Sequence, residues 1–156
     1  MNPALPSRLA ALAACAGLAA VATTASALAA GPAPAADPLR ADHPLLGAWT
    51  FTSPDGCVET WRIDRTGNSL VTSAGEVAEM RFTLSDQPSP RGFYKWTDTL
   101  YKDNGKKDCA GQVTKPPRTT TNFILLNRAG TRFIFCAAED TRQCFGPFVK
   151  VEGGEV

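Results

Sequence analysis

Between Leu45 and Lys150 the chain is written in short alternating segments. Leu45, Gly47, Trp49 and Phe51 fall on one face of the first. In the second, Cys57, Trp61 and Ile63 share a face that also carries Glu59. Further on, Ala78, Met80, Phe82 and Leu84 oppose Val77, Glu79, Arg81 and Thr83, and Tyr94, Trp96 and Leu100 share a face with Asp98. A period of two is that of a strand with one side in a core. Phe123 and Leu125 point one way and Ile124 and Leu126 the other, which predicts a strand that is central or covered on both sides. Turn-forming residues punctuate these segments about every ten residues. They are Ser53-Pro54-Asp55-Gly56, Arg65-Thr66-Gly67-Asn68, Ala74-Gly75, the Pro-bearing Ser85–Gly92, Asp103-Asn104-Gly105, Pro116-Pro117, Asn127–Gly130 and Glu139–Gln143. After residue 30 no stretch sustains a capped apolar period of 3.6, so helix content should be low.

The pattern predicts an all-β fold of eight or nine antiparallel strands in a simple meander. Asp108–Thr114 reads equally as strand or loop. A meander of that size must manage its two edges, and closure into an up-and-down barrel removes them. The last hairpin is Arg132–Val149, where Phe133-Ile134-Phe135 and Phe145–Val149 flank a polar loop and each run carries a cysteine at the junction, Cys136 and Cys144. Pro147 has no N–H for a ladder, so a bulge beside Gly146 is expected there.

Not all of the 156 residues belong to that fold. Residues 1–29 read as an export signal: one basic residue, Arg8, then an Ala- and Leu-rich run ending in Ala27-Leu28-Ala29, with cleavage before Ala30. The clean cleavage site favours this over a membrane span. Leu12-Ala13-Ala14-Cys15 has the form of a lipidation site, but the apolar run continues well past Cys15. Residues 30–44, rich in Pro and Ala, read as a tether, and residues 45–151 as one barrel domain.

Charge and cysteine content narrow the setting. Removing Arg8 from the 16 Lys and Arg leaves them equal in number to the 15 Asp and Glu. No basic run exceeds Lys106-Lys107, so nothing marks a nucleic-acid or anionic-membrane partner. Four cysteines remain after Cys15, an even number that implies two disulfides in an oxidising compartment, periplasmic or secreted. The hairpin favours Cys136–Cys144, which leaves Cys57–Cys109. A zinc site would need metal-ligand spacing or a nearby histidine, and neither is present.

Gly47-Ala48-Trp49 resembles the Gly-x-Trp of lipocalins and the wider calycin group. The layout is also similar to a family of small exported lipocalin-like bacterial proteins. The similarity rests on Leu45–Trp49 as Leu-x-Gly-x-Trp, Cys57-Val58-Glu59, Asp108–Gly111 as Asp-Cys-x-Gly, and Cys144–Pro147 as Cys-Phe-Gly-Pro. Lipocalins place an Arg of the last strand over that Trp, and this chain offers Lys150. The resemblance implies fold and compartment and no activity.

Candidate chemistry is sparse. The single histidine, His43, falls in the tether, which argues against catalysis by a positioned imidazole and reads as a solvated residue. No phosphate-binding loop or cofactor motif is present. Glu59 and Asp98 sit on otherwise apolar faces, and a carboxylate facing a barrel interior is costly unless it is paired or hydrogen-bonded. Trp49, Trp61, Tyr94 and Trp96 could line a cavity or fill the interior. These six residues, Trp49, Glu59, Trp61, Tyr94, Trp96 and Asp98, are the candidate ligand-binding set. Three readings follow. The preferred one is a monomeric, non-catalytic barrel that takes a small apolar or lipid-like ligand. The second is a protein-interaction module such as a hydrolase inhibitor, reaching its partner through the loop Asp86–Gly92. The third is a glycosidase-like enzyme using Glu59 and Asp98.

Overall fold

A computed structural model of the chain describes residues 38–153. The expected leader, Cys15 and most of the expected tether lie outside those residues. Eight strands follow one another: β1 (Gly47–Thr52), β2 (Val58–Ile63), β3 (Asn68–Ser73), β4 (Glu76–Leu84), β5 (Phe93–Asp103), β6 (Arg118–Leu126), β7 (Arg132–Cys136) and β8 (Cys144–Lys150). Each pairs antiparallel with the next, and β8 returns to β1, so the sheet is a closed up-and-down barrel. Asp108–Thr114 lies in the β5–β6 loop, which settles the strand count at eight. Among the described residues no helix is long and apolar enough to cross a membrane.

The expected alternation sets what faces inward. Trp49, Ile63, Phe82, Trp96, Ile124, Phe133 and Phe148 are almost wholly buried and belong to one cluster. Phe133 stacks on Phe148 at 4.9 Å and Phe82 on Trp96 at 4.1 Å. Such offset ring pairs add about 0.5–1.5 kcal/mol each beyond the area they bury. On the outer side of β6 the expected cover is partial: Phe123 and Leu125 are half-buried, while Ile124 on the inner side is fully buried. The bulge expected near Gly146 is present, since the β7–β8 register shifts between Phe133 and Phe135. Gly146 has φ 129°, and a Cβ there would meet Phe133 O and Phe148 N at 3.2 Å, so this position needs glycine.

Both predicted disulfides form. Cys136–Cys144 joins residues directly opposite each other on β7 and β8. Cys57–Cys109 joins the β1–β2 turn to the β5–β6 loop. The first therefore fixes β8 to β7. Closure of β8 against β1 is made at the other end of β8, through Trp49–Lys150 and Thr50–Val149, extended by the Val151 N–H donating to Ala48 O at 2.9 Å.

One end of the barrel is plugged by residues 39–46. Leu39 and Leu45 are buried in the aromatic cluster. The Leu39 N–H donates to Arg65 O, and Arg65 Nε donates back to Leu39 O. His43 is the correction here. It is 3% exposed rather than solvated, because its ring bridges two backbone segments. Nδ1 accepts from the Leu45 N–H and Nε2 donates to Ser85 O, each at 3.3 Å. Its edge packs against Tyr94. Acceptance at Nδ1 requires the neutral ring, protonated on Nε2, and burial holds its pKa below the usual 6.5 against the Ser85 bond. The sequence reading missed this because a single imidazole beside prolines carries no periodicity.

Two stability measurements test this architecture. Replacing His43→Leu leaves the Leu45 N–H without an acceptor and should cost about 1–3 kcal/mol in urea unfolding; no loss would mean that the plug does not depend on the ring. Loop closure predicts that Cys57→Ala/Cys109→Ala, which opens a link spanning 52 residues, costs about 4 kcal/mol, against about 2.5 for the 8-residue Cys136–Cys144 link. The reverse order would contradict that account.

Candidate acidic mouth of the barrel

The aromatic cluster fills only the plugged half. Toward the other end the same inward-facing rows turn small and polar. On β3 and β4 they carry Val71, Ser73, Glu76 and Ala78; on β5, Asp98 and Leu100; on β6, Arg118, Thr120 and Asn122. Side chains of that size cannot meet across the barrel, and a cavity of about 200 Å³ remains. Val71, Ala78 and Leu100 form its small apolar floor and Trp61 one wall. A groove of about 490 Å³ continues from Trp61 and Asn122 along Phe135, Phe145 and the Cys136–Cys144 bridge. Phe145 is half exposed and leans on Phe51 at 4.4 Å, so the rim is aromatic on that side. A further hollow of about 600 Å³ lies outside the barrel beside Leu46, Arg132 and Gly153, with Glu152 the one carboxylate among its lining residues.

Four carboxylates line the cavity, Glu59, Glu76, Asp98 and Asp108, with Arg118 the one basic side chain among the lining residues. Glu59 is fully engaged. The Trp61 indole N–H donates to Oε1 at 2.6 Å and the Ser73 hydroxyl to Oε2 at 3.0 Å. Ser73 Oγ in turn accepts the Cys109 N–H, so the disulfide loop and the Glu59 carboxylate share one support. Asp98 is 7% exposed, and its Oδ1 accepts the Trp96 indole N–H at 3.0 Å. Burial pushes its pKa up, against the indole bond and the attraction of Arg118. Glu76, 8% exposed, shares a hydrogen bond with the Asp103 carboxyl. Burial first, then Asp103, and the charges of Asp108 and Glu59 raise its pKa from 4.5 to about 7.

Of the six candidate residues, Glu59, Trp61 and Asp98 come together at this cavity. The other three are elsewhere. Trp49 and Trp96 are wholly buried in the aromatic cluster, and Tyr94 packs beneath His43 in the plugged half. Trp96 still matters to the site, because its N–H positions Asp98. Glu76, Asp108 and Arg118 were missed. Two of them had a signal: Glu76 extends the inward row Ala78, Met80, Phe82 by one step, and Arg118 extends the row of Ile124, Asn122 and Thr120. The Pro-bearing loop lies elsewhere. Ser85 accepts from the buried His43, and Asp86 pairs with Arg40 at 3.0 Å, which ties the loop to the plug. Among the described residues no group of three or more His, Cys, Asp or Glu converges to hold a metal ion.

Fold and site together define an eight-stranded up-and-down β-barrel, plugged at one end and hollow and acidic at the other. No family model matches the chain, no curated protein matches it, and no solved structure matches it.

The raised Glu76 pKa has a readable sign. A carboxyl whose pKa is higher folded than unfolded binds its proton more tightly in the folded state. The stability it gives is complete below about 4.5 and is lost as pH rises through about 7. Melting curves should show the wild-type Tm falling across that window relative to Glu76→Gln, whose amide does not titrate. Parallel pH profiles for the two proteins would remove Glu76 as the source.

Proposed function

We propose that this protein is a non-catalytic binding module of an oxidising, extracytoplasmic compartment, and that it takes a small, partly apolar molecule into the mouth of the barrel. The observation that carries this reading is the division of the interior. A barrel of eight strands can be filled by its own side chains. Here aromatic residues fill one half, and the other half keeps a cavity with an apolar floor, a Trp61 wall and a few convergent polar groups. That combination is the usual make-up of a ligand site.

The size of the cavity narrows the ligand. At about 200 Å³ it falls below the roughly 300–1,000 Å³ of drug-sized sites. Its enclosed part suits a compact molecule, while the apolar end of a larger one lies along Phe135 and Phe145 in the adjoining groove. A long acyl chain is therefore a poorer match than a short or ring-bearing ligand. The engaged state of Glu59, with both oxygens holding protein donors, supports binding over acid–base chemistry. Two disulfides support the compartment, as does the export signal expected over residues 1–29. Lys150 Nζ lies 5.2 Å over the Trp49 ring, the place where lipocalins carry an Arg.

Native mass spectrometry of protein purified gently from its own host should show a retained small-molecule adduct. Ala78→Leu, which builds into the cavity floor, should lose that adduct while keeping its near-UV circular dichroism. A protein without an adduct, or an adduct indifferent to Ala78→Leu, would count against the mouth as the site.

A further inference from the structure

We propose that the ligand of this mouth carries an uncharged, hydroxyl-bearing ring, a sugar in chemical class, and that the ring is held by Asp98, Thr120, Asn122 and Arg118 on the inner face of β5 and β6. The inference rests on the reading of the mouth as a binding site and adds the chemical class of what enters it.

Three of the four carboxylates that line the cavity are already engaged. Glu59 holds the Trp61 indole and the Ser73 hydroxyl. Asp108 Oδ1 accepts the N–H groups of Ala110 and Gln112 at 2.9 and 2.7 Å. Glu76 shares its hydrogen bond with Asp103. Asp98 differs. It is more than nine-tenths buried at the cavity wall, and among the described residues the only other side chain that donates to it is the Trp96 indole, on Oδ1. Its charge is answered by the attraction of Arg118, the one basic side chain of the lining. A ligand in contact with this wall therefore needs to bring no charge of its own, but it does need to bring hydrogen bonds, because polar groups cut off from water are costly without them.

The sheet register sets these groups side by side. Thr120 stands directly opposite Asp98, and Asn122 and Arg118 lie one inward step to either side of Thr120 on β6. The outward threonines of the same strand are paired, Thr119 with Thr99 and Thr121 with Thr97. Thr120 and Asn122 face the cavity instead, and their side chains bond to no other described residue. The patch works in both senses: the Asp98 carboxylate accepts, the Arg118 guanidinium donates, and a hydroxyl and an amide do both. An ammonium ligand offers donors alone and a carboxylate ligand acceptors alone, so either leaves part of the patch unanswered. Neighbouring hydroxyls on a ring supply donors and acceptors in succession. The enclosed space of about 200 Å³ takes one small ring. Trp61, held in place by Glu59, is the aromatic wall for the C–H side of that ring. An apolar substituent on the ring then runs past Trp61 into the groove along Phe135 and Phe145.

The test compares matched probes on the full mature chain with its disulfides intact, followed by NMR chemical-shift titration. The probes are the phenyl β-D-pyranosides of glucose, galactose and mannose, with 2-phenoxytetrahydropyran as the same ring and substituent without hydroxyls, and phenyl β-D-glucuronide as an anionic form. At least one neutral glycoside should bind about tenfold or more tightly than 2-phenoxytetrahydropyran and more tightly than the glucuronide, and added sodium chloride should leave its affinity unchanged. Thr120→Val and Asn122→Leu keep the size of each side chain and remove its hydrogen bonds. Each should weaken the glycoside roughly three- to tenfold without weakening 2-phenoxytetrahydropyran, with near-UV circular dichroism confirming the fold. The comparison of probes on the wild-type protein stands even if a variant does not fold. Equal binding of the glycosides and 2-phenoxytetrahydropyran, or a preference for the glucuronide, would overturn the sugar inference and leave the mouth as a site. Glycoside binding indifferent to both substitutions would overturn the assignment to this patch. Binding of none of the probes would overturn both the inference and the reading it rests on.

Discussion

A twisted sheet of eight strands has two edges, and here they meet over only two residue pairs, Trp49 with Lys150 and Thr50 with Val149. So short a ladder is a weak closure taken alone. It holds because one side chain from each edge reaches into the plug. The buried Trp49 indole donates to Leu45 O at 2.9 Å. Lys150 Nζ donates to Pro44 O at 3.2 Å and lies over the Trp49 ring. The segment before β1, β1 itself and the end of β8 are thereby fastened at a single point. The inward direction of every other strand follows from that closure, because in a closed sheet each row of alternate residues must face either the core or the solvent.

The interior has been divided between two tasks. Near the seam, bulky rings interlock and leave no room. Toward the open end the rows shrink to Ser, Ala, Thr and Val and then become charged. That second half gives up burial of apolar surface, which elsewhere in the barrel is worth about 25 cal/mol per Å². The Cys57–Cys109 bridge stands where this loss is felt, joining two loops around the hollow that have little core beneath them. Its neighbour Ser73 ties the same loop to Glu59, so the least well packed region is held by covalent and polar bonds.

Period-two alternation made the fold legible, since in a one-sided strand it states which residues are inside. The strands with clean alternation, β1, β2, β4 and β5, have the inward faces the sequence implies. Both disulfides were also legible, one from its hairpin and the other by remainder. The site was harder to read. Alternation says that Trp49, Trp61, Tyr94 and Trp96 all face inward, but it carries no information on height along the barrel axis. Height separates a core indole from a cavity wall, and it is set by strand stagger, a property of the closed sheet. The same blindness hid Glu76, which stands at the first position of its strand, and His43, whose partners Leu45 and Ser85 are backbone atoms that no sequence pattern marks.

The seam also governs the order in which the molecule can be made. Lys150 and Pro44 are 106 residues apart in sequence, so the first strand waits for the last. Until β8 has been delivered, β1 is an open edge carrying an unburied indole, and the plug has nothing to fasten to at that side. Local hairpins such as β3–β4 can form early, but closure belongs to the end of the process. Folds dominated by such distant pairings reach their native state in about milliseconds to seconds rather than microseconds. During that interval the unpaired edge is open to other chains. The mature barrel has no free edge, and its exposure to mispairing is concentrated in the interval before it is whole.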